Sequence, residues 1–185
     1  MSNKTRLTYR GDVAVRLKIG SKVIDVKGYN SGTTYLKKSI CKFLSGNYGG
    51  APDIPQMIDL RKRDNSMPDV PTSWKTCLNQ EIILTGKTFL IEDNNDLGIN
   101  NNWVARFTAA IPRAALIDAI SADDVTNSYR LYLYGSFDEL NISERYHDLA
   151  YIDISAESLS RITPGTQALI EWSMQILNYG EVQGE

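Results

Sequence analysis

The chain has 185 residues, of which 42% are hydrophobic and 23% are charged, with 13 Gly and 6 Pro. This composition is typical of a globular domain and excludes collagen-like and disordered chains. The 20 basic and 22 acidic side chains leave a net charge of -2, so the protein is not expected to coat nucleic acid, which requires an excess of positive charge. Cys41 and Cys77 are too few for a disulfide scaffold, which indicates a reducing compartment.

The sequence predicts neither a membrane span nor a secretory signal. Its first residues contain no apolar signal core. In addition, no segment approaches the roughly 18 consecutive apolar residues that a membrane-spanning helix needs. We therefore expect a protein that is neither secreted by that route nor membrane-spanning, with no membrane partner.

The first part of the chain predicts a hairpin followed by a helix. Apolar residues alternate with polar ones over residues 12–19 and again over 22–29, which is the period of half-buried strands. Gly20-Ser21 separates the two segments, and a two-residue turn with Gly first predicts a type II′ hairpin. An amphipathic helix is predicted over residues 33–45 from apolar residues at helical spacing, namely Leu36, Ile40, Phe43 and Leu44.

Residues 47–75 are interrupted by glycine and proline, and one short strand, over 56–61, is predicted within them. Because loops of this length are unusual inside a compact domain, we predict an extended arm at 47–75 that reaches a neighbouring subunit. Deletion of residues 52–71 is then expected to leave a folded monomer that no longer assembles. The predicted interface residues of the arm are Tyr48, Pro52, Arg61, Arg63, Pro68, Pro71 and Trp74.

The second part of the chain is rich in predicted strands. Their ranges are 76–78, 81–85, 87–92, 103–111, 129–134, 148–154 and 167–177. Ser155 is predicted to cap a short helix over 156–162. Many short strands separated by turns, with one convincing helix, predict a mainly β fold, an antiparallel β-sandwich or open barrel. We expect a single domain over residues 1–185, since no repeat or boundary is visible.

The residue types that catalysis requires are scarce. His147 is the sole histidine, and no nucleophile, base and orienting group can be placed together with it. One histidine and two distant cysteines do not supply the four ligands of a zinc site. We therefore assign no catalytic residue, no metal and no cofactor, and we predict that the protein is not an enzyme.

Two segments resemble binding motifs without completing them. Thr85-Gly86-Lys87-Thr88 ends like a phosphate-binding loop, but Glu81 stands where the first glycine is required, so we interpret the segment as a hairpin turn. Residues 93–98 resemble a calcium-binding loop, but Leu97 and Val104 occupy ligand positions. We interpret these residues as an Asn-rich turn between strands.

Three segments carry a resemblance to a known class of proteins. Residues 30–36 (NSGTTYL), 149–155 (LAYIDIS) and 162–172 (ITPGTQALIEW) resemble small structural proteins of tailed bacteriophage virions. The nearest type is the set of ring, connector and capsid-associated proteins of crAss-like phages. The resemblance covers the two ends of the chain. It implies a β-sandwich in the virion that assembles in many copies and contacts portal, tail or capsid proteins.

A carbohydrate- or receptor-binding module is the alternative function. Sandwich domains present aromatic side chains for stacking on sugars. Four tyrosines lie close together in the later sequence: Tyr129, Tyr132, Tyr134 and Tyr146. The strand alternation predicts that some of these tyrosines lie in the core.

Overall fold

A computed structural model describes residues 10–29, 54–63, 74–92, 102–136 and 146–177, together with Leu36, Cys41 and Ser45. A 3₁₀ turn (Arg113–Ala115) and a short helix, α1 (Ala156–Leu159), accompany the strands. The strands are β1 (Arg10–Ile19), β2 (Lys22–Tyr29), β3 (Ile54–Arg63), β4 (Trp74–Thr76), β5 (Ile82–Ile83), β6 (Gly86–Glu92), β7 (Asn102–Pro112), β8 (Ser128–Ser136), β9 (Tyr146–Ile154) and β10 (Gln167–Leu177).

The strands form two antiparallel sheets. Sheet A has the order β2-β1-β10-β7-β6, and sheet B has the order β4-β3-β8-β9, with β5 also paired to β3. The β1–β2 hairpin turns at Gly20, whose φ of 59° is a conformation that glycine adopts without strain. The predicted mainly β, antiparallel fold is confirmed: the described strands form a sandwich-like arrangement and no closed barrel.

One hydrophobic cluster fills the space between the two sheets. On β10 the alternation predicted from the sequence is confirmed, because Ala168, Ile170 and Trp172 are all buried in this cluster. The fully buried side chains come from both sheets and include Val15, Leu17, Ile58, Leu60, Ile111, Leu131, Leu133 and Trp172. The packing of these side chains fixes which residues of each strand face outward.

Residues 54–63 do not form an arm, and this part of the prediction is wrong. They form β3, which pairs with β8 along one side and with β4 and β5 along the other. Ile58 and Leu60 of this strand are 1% and 0% exposed. Deleting residues 52–71 would therefore remove an internal strand and its core contacts, so it would unfold the protein rather than release a monomer. Because prolines flank this strand, the sequence pattern did not indicate that Ile58 and Leu60 are buried.

The helices agree with the sequence to different extents. Ser155 caps α1 as predicted, since its hydroxyl accepts a hydrogen bond from the Ser158 N–H at 3.3 Å. The helix ends at Leu159, earlier than expected. Of the predicted helix 33–45, Leu36 and Cys41 have helical backbone, and the Ser45 N–H donates to the Cys41 carbonyl at 3.0 Å. The remainder of that prediction lies outside the described residues.

The segment that resembles a phosphate-binding loop is a crossing between the sheets, and the hairpin interpretation is wrong. The Leu84 N–H donates to the Gln56 carbonyl in sheet B, and the next N–H, of Thr85, donates to the Thr108 carbonyl in sheet A, both at 2.8 Å. A Cβ atom on Gly86 would lie 2.5 Å from the Thr108 hydroxyl. A larger residue at position 86 would therefore have to displace the Thr108 side chain on the neighbouring strand β7.

Candidate interaction surface

Arginine and aromatic side chains cover the outer face of sheet B. The core takes alternate residues of β3, β8 and β9, so the intervening residues point away from it. The strand register arranges these outward residues in neighbouring rows. We call the set the Arg–aromatic face; its members are Asp59, Arg61, Trp74, Arg130, Tyr132, Tyr134, Asp148, Tyr151 and Asp153.

Arg61 and Arg130 lie directly opposite each other on β3 and β8. Like charges in this position repel, and each guanidinium is held in place by carboxylates and rings of its own. Arg61 Nε lies 2.9 Å from Asp59 Oδ2, and Arg61 Nη1 lies 3.6 Å from Asp148 Oδ2. The same guanidinium lies over the rings of Tyr132 and Tyr134, at 4.6 and 5.1 Å from their centroids.

Arg130 lies between two aromatic rings. Its guanidinium carbon is 4.3 Å from the centroid of the Trp74 ring and 4.3 Å from that of Tyr151. Arg130 Nε donates to Asp153 Oδ1 at 2.6 Å. Burial lowers the pKa of Arg130, but the hydrogen bond and charge of Asp153, together with the Tyr132 hydroxyl, outweigh this effect, so the pKa is raised. The guanidinium stays charged and stacked on both rings.

Tyr132 is the central ring of the face. It is 4% exposed, and its ring centroid lies 6.3 Å from Trp74, 6.1 Å from Tyr134 and 5.7 Å from Tyr151. Burial raises the pKa of its hydroxyl, partly offset by Arg130 and Arg61. Edge-to-face and tilted ring pairs of this kind stabilise each other beyond simple burial. The face is thus a packed layer of side chains with a defined shape.

Asp59 ties three strands together at this face. Its carboxylate accepts a hydrogen bond from the Thr76 hydroxyl at 2.6 Å, from Arg61 Nε at 2.9 Å and from the Tyr134 hydroxyl at 3.5 Å. These three donors come from β4, β3 and β8, so the carboxylate links the three strands. Asp59 therefore fixes β4 and its Trp74 against β3.

The structure brings together some of the residues predicted for the arm interface. Arg61 and Trp74 both belong to the Arg–aromatic face, and Arg63 lies in the next row, paired with Trp74 in register. The other four predicted interface residues, Tyr48, Pro52, Pro68 and Pro71, lie outside the described residues.

Sequence reasoning missed Arg130, Tyr151 and the three aspartates. The alternation of Arg130, Tyr132 and Tyr134 on one side of β8 was a signal that could have found part of this set.

The four tyrosines considered for a carbohydrate-binding function lie in different environments. Tyr129 belongs to the core, as the alternation predicted for part of this group. Tyr132 and Tyr134 are 4% and 5% exposed with the Arg61 guanidinium over both rings. Tyr146 begins β9, and its side chain, like that of His147, is outside the description. The geometry of these tyrosines does not favour sugar stacking on their rings.

Tyr129 and Asp124 form a separate hydrogen-bonded cluster at the entrance to β8. The Tyr129 hydroxyl donates to Asp124 Oδ2 at 2.6 Å, and the Asn127 backbone and the Thr126 hydroxyl donate to Oδ1. The bond from Tyr129 is the main cause that lowers the pKa of Asp124 to about 2, and burial opposes it. The cluster holds the loop before β8 in one conformation.

We expect Tyr129→Phe to raise the pKa of Asp124 toward its ordinary value and to make the protein less sensitive to acid. Because folding lowers this pKa, the carboxylate stabilises the fold above about pH 4, and the stabilisation is lost as the pH falls toward 2. Titration of the Asp124 carboxyl carbon by NMR measures the shift. Tyr151→Phe, which keeps the Tyr129 bond, is the control. An Asp124 that titrates near 3.9 in the unmodified protein would contradict the assignment.

No family model, curated protein or solved structure matches this chain. Within the described ranges, no helix has the length and apolar character needed to cross a membrane. In the same part of the chain, no three His, Cys, Asp or Glu side chains come together as metal ligands do.

Proposed function

We propose that the protein is a non-enzymatic structural protein that assembles in several copies through the Arg–aromatic face, as a ring, connector or capsid-associated component of a phage virion. The observation that carries the proposal is the stack of Trp74, Arg130 and Tyr151 on an outer sheet face. A few hot-spot residues carry most of the binding energy at protein interfaces, and tryptophan, tyrosine and arginine are enriched among them. The phage context is supported by the resemblance of residues 30–36, 149–155 and 162–172.

The packing of the Arg–aromatic face suits it for docking. Arg61 and Arg130 already have carboxylate partners, so covering them leaves no guanidinium unpaired. Their stacked side chains are held in place before a partner arrives, so docking loses little side-chain entropy. With two guanidinium groups against three carboxylates, the face carries a small negative charge.

The outer face of sheet A supplies a complementary surface on a second copy. Val23 and Leu169, which are 54% and 40% exposed, both pair with Lys18 in register and flank it in one row. This row offers two apolar side chains around one positive charge, which matches an aromatic face with a small negative charge. In the next row, Arg16 pairs with Asp25 and Glu171.

Contact between unlike faces of successive copies is a heterologous interface. Sheet B of one copy would meet sheet A of the next, and such contacts close into rings when the rotation between copies permits. This arrangement fits the ring or connector form of the proposal.

The purified 185-residue chain is expected to form multimers by mass photometry and sedimentation velocity. Leu169→Asp and Lys18→Glu should give monomers, because they place negative charge against the partner's carboxylates. Tyr151→Ala should weaken association about thirtyfold, as expected for an interface residue that contributes about 2 kcal/mol. Electron microscopy of the multimer distinguishes a closed ring from an open chain of copies.

Lys87→Glu is the matched control, since it makes the same charge change at an exposed position of β6 in sheet A but outside the Lys18 row. It should leave the multimer intact. A dissociation constant above about 100 μM is weak even for a transient interface. A chain that stays monomeric at about 100 μM therefore contradicts self-assembly. Absence of the protein from purified virions of the phage that encodes it would contradict the virion assignment.

A further inference from the structure

A cleft of about 490 Å³ opens at the end of sheet B, where β3 and β9 end and β4 and β8 begin. Its volume lies in the range of small-molecule sites, roughly 300–1,000 Å³. The side chains that give the cleft its chemistry are Arg63, Trp74, Asp124, Asn127, Ser128 and Asp153. The cleft adjoins the Arg–aromatic face, with which it shares Trp74, Arg130 and Asp153.

Arg63 differs from the two arginines of the Arg–aromatic face. It lies between Trp74 and Ser128 in register, and its side chain is exposed. No carboxylate among the described residues forms a salt bridge with it. Among the described residues, Arg63 is therefore a multiple donor without a carboxylate partner, beside an indole and a hydroxyl.

The charges of the cleft wall balance. Arg63 and Arg130 contribute two positive charges, and Asp124 and Asp153 contribute two negative ones. An anion would meet the carboxylates and a cation would meet the guanidinium groups, so a ligand gains nothing from a net charge of either sign. The polar groups instead offer donors and acceptors in close proximity.

The polar groups and the indole together match one class of ligand. A sugar has adjacent hydroxyls that donate and accept, which suits the guanidinium, carboxylate, amide and hydroxyl groups of the wall. It also has an apolar C–H face, which packs on an aromatic ring. Trp74 is half-buried and lines the cleft, so part of its indole is available as that surface.

We propose that this cleft binds an uncharged sugar, with Trp74 against its apolar face and Arg63, Ser128 and Asp153 as hydrogen-bond partners of its hydroxyls. The proposal does not depend on self-assembly. It also differs from stacking on Tyr132 and Tyr134, whose rings are covered by Arg61.

Saturation-transfer NMR on the full-length chain tests the site. The probes are methyl glucoside, methyl galactoside and N-acetylglucosamine at about 10 mM, which detects millimolar affinity. We expect saturation of ring C–H protons from at least one probe. Ser128→Leu, which fills the cleft from an exposed position, should abolish the signal. Arg63→Ala should weaken binding at least about tenfold, the loss of one charged hydrogen bond.

Lys87→Ala, at an exposed position of β6 outside the cleft and the Lys18 row, is the control and should bind as the unmodified chain does. The proposal is overturned if none of the three sugars gives a signal. It is also overturned if inorganic phosphate or sialic acid binds more tightly than the neutral sugars, or if Ser128→Leu and Arg63→Ala, both folded by circular dichroism, bind the sugars normally. The multimer measured by mass photometry is a separate readout, so loss of one function does not imply loss of the other.

Discussion

Replacing Leu60 with alanine should lower the free energy of unfolding by about 3 kcal/mol, which is typical for a leucine truncated in a core. Leu60 is 0% exposed and lies on β3, which has paired strands on both sides. The lost methyl groups leave a cavity that two paired neighbours cannot close. Urea denaturation followed by circular dichroism gives the change from the shift in midpoint.

Gln56→Ala is the matched control on the same strand. Its side chain is exposed, so the change should stay within about 0.5 kcal/mol. If β3 were a free arm that only a neighbour orders, Leu60→Ala and Gln56→Ala would have equally small effects on the monomer. Equal small effects would therefore contradict the position of β3 inside sheet B.

Tyr132→Ala should destabilise the protein by about 3 kcal/mol and also disrupt the Arg–aromatic face. Truncation of a buried aromatic residue has this magnitude, and here the ring supports Trp74, Tyr134 and Tyr151 as well as the Arg61 guanidinium. Loss of the ring should increase the mobility of the Trp74 indole. Chemical denaturation measures the stability, and NMR of the indole N–H groups measures the mobility.

Tyr132→Phe distinguishes the contribution of the ring to stability from that of its hydroxyl. The variant keeps the ring contacts and loses only the interaction of the hydroxyl with Arg130, so the expected loss is about 1 kcal/mol. A Tyr132→Ala protein as stable as the Phe variant, with an unchanged Trp74 signal, would contradict the central role of the ring.

The fold class was predictable because it depends on local periodicity. Alternation over residues 12–19, 22–29 and 167–177 is a property of neighbouring residues, and in each case the structure has a strand there. Sheet membership was not predictable in the same way. The short run 56–61 was read correctly as a strand, but its two-sided pairing depends on β4, β5 and β8, which are distant in sequence.

The candidate site could be predicted only in part, because its residues come from separate strands. Arg61 and Trp74 were identified because arginine and aromatic residues are typical of interfaces. Their partner Arg130 comes from another strand, and its position opposite Arg61 follows from the antiparallel register of β3 and β8. No spacing within one segment indicates that register.

The rows of the Arg–aromatic face cross four strands that span residues 54–154, and no continuous stretch of chain contains more than a fraction of them. For an antibody, this surface is a conformational epitope. Sera raised against the denatured polypeptide or against synthetic peptides would fail to recognise it, whereas a reagent selected on the native fold could block it. Peptide mimics of any single strand would be equally ineffective as competitors.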